Sequence, residues 1–129
     1  MKHRSEQLPI RVVLCDDVPE FRALIRFAID DDPSLEVVAE ADSGDAAVER
    51  VASAQADVVL LDLILPGRSG LEAIPLVRAR APECAIVVLS RFPDQESKAR
   101  EAGADLFVEK GTPLAGIRAA IHSAAQGQR

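Results

Sequence analysis

The sequence predicts an α/β protein: a single doubly wound domain on a five-stranded parallel sheet, in the order 2-1-3-4-5. Three observations predict it. Short apolar runs alternate five times with stretches of helical spacing, and such βα units pack as a parallel sheet covered on both faces through right-handed crossovers. The central run, Val58-Val59-Leu60-Leu61 between Asp57 and Asp62, is apolar without alternation, as a strand buried on both faces must be. A chain of 129 residues, 48% hydrophobic and 28% charged, suits one globular domain with a sizeable core. The strand order follows the common precedent for such sheets, which places a ligand crevice beyond the carboxyl ends of strands 1 and 3.

Ile10 to Cys15 is the first strand, ending in Asp16-Asp17. Val18-Pro19 opens a helix, with proline tolerated in the first turn. Phe21, Leu24, Ile25, Ala28 and Ile29 form its apolar stripe. Asp30-Asp31-Asp32-Pro33 stops it, because acids oppose the helix dipole and proline disfavours a helical residue before it. Leu35 to Ala41 is the second strand. Asp42-Ser43-Gly44-Asp45 caps a second helix that runs to about Ser53. After the third strand, a loop with Pro66, Gly67 and Gly70 leads to a helix over 71–80, with Leu71, Ile74 and Val77 inward. Pro75 within it predicts a late start or a local bend. Residues 85–89 form strand four, closing on Ser90. Pro93-Asp94 begins a fourth helix that ends at Gly103 and is weakly anchored, with Ala99 almost its only apolar residue. Residues 106–108 form a short fifth strand ending in Glu109-Lys110-Gly111. Thr112 caps the last helix, with Pro113 at its first position and Leu114, Ile117, Ile121 and Ala124 inward.

Net charge is −6 and no basic cluster stands out, which argues against nucleic-acid or anionic-membrane binding by this segment. There is no apolar run long enough for a transmembrane helix, and the polar start lacks the core of a signal peptide. Cys15 and Cys84 lack metal-ligand spacing and read as reduced core residues of a cytosolic protein.

Asp16-Asp17, Asp62, Ser90 and Lys110 all fall at strand carboxyl ends, which share one edge of a parallel sheet. Acids brought together there repel, and a hard divalent cation bound through oxygen relieves the repulsion; Mg²⁺ suits few carboxylates plus waters and a phosphate. A carboxylate nucleophile, a cation and a lysine together are what phosphoryl transfer to a carboxylate requires. Asp57, at the entry end of its strand, is structural.

With these residues the chain resembles the receiver domain of two-component response regulators, a flavodoxin-like (CheY-like) fold, over residues 10–126. The resemblance rests on Asp16-Asp17, on Asp62 with Pro66 four and Gly70 eight residues later, on Ser90 and on Lys110. It implies that Asp62 is the phosphoacceptor, served by a sensor histidine kinase. It implies that Asp16, Asp17, Asp62 and the main-chain carbonyl of Ile64 hold Mg²⁺. Ser90 would bind a phosphoryl oxygen, Lys110 would pair with the phosphate, and Phe107 would be the switch aromatic that turns inward as Ser90 moves. The protein would be a cytoplasmic signalling switch and not an enzyme, assisting only its own phosphotransfer and dephosphorylation. It would be able to form a homodimer when phosphorylated, would have no membrane partner, and would reach DNA only through an output domain outside this chain. Residues 1–9 would be an extended or disordered lead, and 127–129 a tail or the start of a linker.

Receivers usually carry proline directly after the lysine. Here Gly111 intervenes and Pro113 comes later, which leaves the usual cis peptide unsupported and resembles the branch with a LuxR-type helix-turn-helix output. Ile64 and Phe92, two residues after Asp62 and Ser90, are apolar and cannot orient an attacking water, so the aspartyl phosphate is expected to last hours and not seconds. The alternative output is that of a stand-alone regulator acting by protein–protein contact. A dehalogenase-like phosphatase needs a second Asp where Ile64 stands, together with a cap domain. A degenerate interaction module would not need the full acidic set with Ser90 and Lys110.

Overall fold

The computed structural model describes residues 8–127. Most of the expected lead, 1–9, and the tail beyond Gly127 lie outside the described residues. The strands are β1 (Ile10–Cys15), β2 (Leu35–Ala41), β3 (Val58–Asp62), β4 (Ala85–Ser90) and β5 (Leu106–Glu109), and the helices α1 (Pro19–Asp30), α2 (Gly44–Ala54), α3 (Gly70–Arg80), α4 (Glu96–Ala102) and α5 (Leu114–Gly127). All strand pairs are parallel, in the order β2-β1-β3-β4-β5.

Strand alternation divides the interior into two cores. Val12 and Leu14 of β1, Val58 and Leu60 of β3, and Val87 and Leu89 of β4 face Ile25 and Ile29 of α1 and Ile117 and Ile121 of α5. Val13, Val59, Leu61, Ile86 and Val88 face the other way, against Val48 and Val51 of α2, Ile74 and Val77 of α3, and Ala99 of α4. The middle strands β3 and β4 are buried along their whole length, which is why their sequences show no polar alternation. At the entry edge, Asp57 accepts from the Arg11 backbone N–H at 2.9 Å through Oδ2, and its own N–H donates to the Arg11 carbonyl at 2.8 Å. That fixes where β1 and β3 begin.

Four local expectations need correction. Leu24 does not join the buried stripe of α1 but is 47% exposed; Ile25, Ala28 and Ile29 carry the packing. Helix α3 does not start late. It begins at Gly70 behind a capping box in which Glu72 N–H donates to Ser69 Oγ and Ser69 N–H donates to Glu72 Oε1, and it runs on through Pro75. Two capped donors at the start help offset the one bond that proline removes further along. A 3₁₀ turn, Pro93–Gln95, precedes α4. Pro113 stands one place earlier relative to α5 than expected, its carbonyl accepting from the Ile117 N–H at 3.1 Å. Among the described residues no peptide bond is cis, that after Lys110 included.

Candidate functional site

The same alternation that sorts the cores also sorts the polar residues at the strand ends. Asp16 continues the Val12, Leu14 face of β1, Asp62 the Val58, Leu60 face of β3, and Lys110 the Leu106, Val108 face of β5. They therefore meet on the α1/α5 side of the sheet. The Lys110 Nζ is 2.8 Å from Asp16 Oδ2 and 3.0 Å from Asp62 Oδ2, all three side chains being less than a tenth exposed. Oxygens of Asp16, Asp17 and Asp62 lie within 4.8 Å of one another. The Lys110 ammonium also sits 4.5 Å from the centroid of the Phe21 ring, a cation–π contact that steadies it from below.

Both buried acids are held by the backbone that follows them. Val18 N–H donates to Asp16 Oδ1 at 2.8 Å, and Ile64 N–H donates to Asp62 Oδ1 at 3.1 Å, in each case an Asx turn that leaves Oδ2 aimed at the crevice. Asp62 accepts a hydrogen bond from Lys110. The Asp16–Lys110 contact is an ion pair only, for Asp16 Oδ2 is buried without a hydrogen-bond partner. Burial raises the Asp62 pKa, and the Lys110 and Ile64 hydrogen bonds only partly oppose it. Burial alone would lower the Lys110 pKa, but the two flanking carboxylates outweigh it and hold it above the ordinary lysine value. Three carboxylates around one ammonium leave negative charge uncompensated in a desolvated place. A buried carboxylate oxygen with no directional partner, next to an exposed acid, is a donor set that fits a hard divalent cation.

Ser90 and Phe107 belong to the opposite face. Ser90 continues the Ile86, Val88 face of β4, its Oγ accepts from the Phe92 N–H at 3.0 Å, and it is 1% exposed. Phe107 pairs in register with Val88 and packs, partly buried, against the α2–α4 core. The structure thus brings Asp16, Asp17, Asp62 and Lys110 together, and places Ser90 and Phe107 on the opposite face of neighbouring strands, two residues out of register. Asp17, Val18, Asp62, Ile64, Arg91, Phe92 and Lys110 line a cavity of about 250 Å³. The side chains of Ile64 and Phe92 are 59% and 45% exposed at its rim.

Gly70 explains how a helix can start so close to the acids. A Cβ there would lie 2.1 Å from the Asp62 carbonyl oxygen and 2.7 Å from the Leu63 Cα, while the Gly70 N–H donates to the Leu63 carbonyl at 2.9 Å. Only glycine permits that approach. Gly67, at φ 68°, makes the turn before it. Sequence reading missed two contributors. Phe21 read only as core stripe, and Arg22 carried no motif; its guanidinium nevertheless reaches the Asp16 carbonyl. Helical spacing from Asp16 was the only available signal for either.

The fold and crevice define a class: doubly wound α/β domains with clustered acids and a buried lysine at the carboxyl edge of a parallel sheet. Comparison with known proteins places the chain within it. The response regulator receiver domain model matches residues 12–122. The chain is 34% identical over 126 residues to the nitrate/nitrite response regulator protein NarL of Escherichia coli K12, covering 96% of this chain and 58% of that protein. A signal receiver domain from Mycobacterium tuberculosis superposes with a TM-score of 0.88 at 34% identity, covering 92% of this chain and 98% of that one. A LuxR-family two-component response regulator from Aurantimonas sp. SI85-9A1 superposes at 0.87 and 32% identity, covering 94% and 88%. The chain belongs to the response regulator receiver domain family. It spans 58% of the length of that NarL protein. Among the described residues no helix is long and apolar enough to cross a membrane.

Proposed function

We propose that Asp62 accepts a phosphoryl group from the phosphohistidine of a sensor kinase, with Asp16, Asp17, Asp62 and the Ile64 carbonyl holding Mg²⁺. The observation that carries this reading is the buried Lys110 ammonium shared between Asp16 and Asp62, 2.8 and 3.0 Å away, with a third carboxylate beside them. When bound, Mg²⁺ supplies charge neutralisation at the transferring oxygens. The Asp62 Oδ2 attacks phosphorus in line as the P–N bond to the donor imidazole breaks, and the freed imidazole takes up a proton. Lys110, already charged and already in contact with that oxygen, moves its hydrogen bond to a phosphoryl oxygen. The Ile64 N–H keeps Asp62 Oδ1 in place throughout.

Phosphorylation replaces the single carboxylate charge of Asp62 with roughly two on the phosphoryl oxygens, placed next to β4, and Ser90 gives up its bond with the Phe92 N–H to donate to a phosphoryl oxygen. Phe107, packed on the same side of the sheet, moves into the space so opened. The face made by α4, β5 and α5 then changes, at low cost because α4 buries only Ala99. The kinship with NarL and with a LuxR-family regulator supports transcription control through a DNA-binding domain as the output, with dimerisation on phosphorylation, in the cytoplasm. Incubation with acetyl phosphate and Mg²⁺ tests the reading. An acid-stable, hydroxylamine-labile adduct is expected on the wild type, and equal labelling of Asp62→Asn overturns it.

A further inference from the structure

One guanidinium outside the crevice is tied to the backbone of the acidic pair. Arg22 donates from Nη1 to the Asp16 carbonyl at 2.6 Å and from Nε to Glu40 Oε1 at 2.8 Å. Glu40, on β2, is also gripped by Arg26 one turn further along α1. The Arg22 N–H itself donates to the Val18 carbonyl at 2.9 Å, and Val18 N–H holds Asp16 Oδ1. Asp17, by contrast, is exposed, and among the described residues its carboxylate makes no hydrogen bond or ion pair. Its direction must come from its backbone. The carbonyl that Arg22 pins belongs to the Asp16–Asp17 peptide group, which is planar, so fixing that oxygen fixes the nitrogen and Cα from which the Asp17 side chain departs.

We propose that Arg22, braced by Glu40 and Arg26, is a positioning residue that presents Asp17 to the divalent cation. The inference rests on the Mg²⁺ reading of the acidic trio. Its sign separates it from plain electrostatics. A guanidinium near the site repels a cation, so on charge alone its loss tightens Mg²⁺ binding, whereas loss of positioning weakens it. A purely structural anchor changes stability and leaves Mg²⁺ affinity where it was.

The experiment is calorimetric titration of the whole chain with Mg²⁺ alone, beside urea unfolding in EDTA. Arg22→Gln is expected to bind Mg²⁺ at least about ten-fold more weakly, the usual effect of removing an outer-shell partner. Arg22→Lys keeps the charge but lacks the planar fork whose separate nitrogens reach the Asp16 carbonyl and Glu40 together and is expected to remain weaker than wild type. Glu40→Gln is expected to weaken binding in the same direction by less. Acetyl phosphate labelling then needs more Mg²⁺, and its rate at saturating Mg²⁺ returns towards wild type. Equal or tighter binding by Arg22→Gln overturns the proposal. Should that variant not fold, Arg22→Lys, which conserves the charge, decides it by the same two outcomes. Asp17→Asn separates the two levels: if it binds as wild type does, or wild type binds nothing, the Mg²⁺ reading itself fails. If Asp17→Asn is weakened and the Arg22 variants are not, only the positioning role fails.

Discussion

Replacing Asp62 by Asn removes an ion pair, yet it is expected to stabilise the folded protein in the absence of divalent cations. The oxygens of Asp16, Asp17 and Asp62 lie within 4.8 Å of one another, so each like-charge pair costs at least about 3.5 kcal/mol at an effective dielectric constant of about 20. The 3.0 Å contact between Asp62 and Lys110 returns about 5.5 kcal/mol on the same scale. Removing Asp62 abolishes two repulsions and one attraction, a net gain of about 1 to 2 kcal/mol on that scale. Burial of the carboxylate, the main cause of its raised pKa, adds to the gain. Asn keeps an oxygen for the Ile64 N–H, and Lys110 keeps Asp16. The pH dependence has a definite sign. An acid whose pKa is raised by folding penalises the folded state only above the unfolded carboxylate value, so the advantage of Asp62→Asn should be full near neutrality and gone below about pH 4. Mg²⁺ should narrow or reverse it, because the wild type gains more binding energy. Urea unfolding in EDTA at pH 7, repeated at acid pH and with Mg²⁺, measures all three. A variant less stable than wild type in EDTA at pH 7 would show that the Lys110 pair outweighs the repulsion and that the crowding argument is wrong.

Gly70→Ala forces a methyl group to 2.1 Å from the Asp62 carbonyl oxygen, and a loss of at least about 2 kcal/mol is expected from such backbone overpacking, read as a fall in Tm; an unchanged Tm would mean the helix start can shift freely. At the far end of the fold, Asp32 accepts from Ser34 and contacts His122 at 2.9 Å, and its pKa is lowered from 3.8 to about 2 by Ser34 first and His122 second. That lowered value contributes stability above about pH 4 that is lost as pH falls towards about 2. With solvent screening it amounts to no more than about 1 kcal/mol, so Asp32→Asn should lose its deficit against wild type in that window. The aspartyl phosphate should last hours, and Ile64→Asn, which gives the crevice rim a group able to orient water, should shorten it by about ten-fold or more; loss from the wild type within a minute, with no phosphatase present, contradicts this. Burial above all pushes the Cys15 and Cys84 thiols up to about 12, so neither should react with a thiol reagent at pH 8 until the chain unfolds.

The architecture was legible because the strands speak plainly. β3 and β4 are apolar at every position but the last, which in each is a polar residue that a parallel sheet must bring to the same edge. The helices were legible where an apolar stripe met a capping side chain, as with Ser43 before α2. Of the late start or local bend that Pro75 suggested for α3, the late start does not occur, since the proline is visible in a sequence while the capping box from Ser69 and Glu72 shows its effect only once the helix start is placed. Leu24 misled it at α1, because spacing counts an apolar residue as inward and only packing reveals that Ile25 and Ile29 had already filled the face. At the crevice, Asp16, Asp17, Asp62 and Lys110 could be read as a group from their strand-end positions. The roles of Phe21 and Arg22 could not, because a ring under an ammonium and a guanidinium on a carbonyl leave no pattern in the residues between them.

Strand parity has one more consequence. Asp16, Asp62 and Lys110 are rooted in the compartment packed by α1 and α5, while Ser90 and Phe107 are rooted in the one packed by α2, α3 and α4. On the proposed reading, the acceptor chemistry and the Ser90–Phe107 relay occupy separate rooms, and α5, a wall of the first, also belongs to the output face. Mutations that loosen the first room away from α5, at Ile25 or Ile29, should alter how readily the phosphoryl group is accepted and kept. Those in the second, at Ile74 or Ala99, should leave acceptance intact and garble what is passed on. A mutant library sorted by phosphorylation and by output should therefore divide along the plane of the sheet, with distance from Asp62 a poor guide to which defect appears.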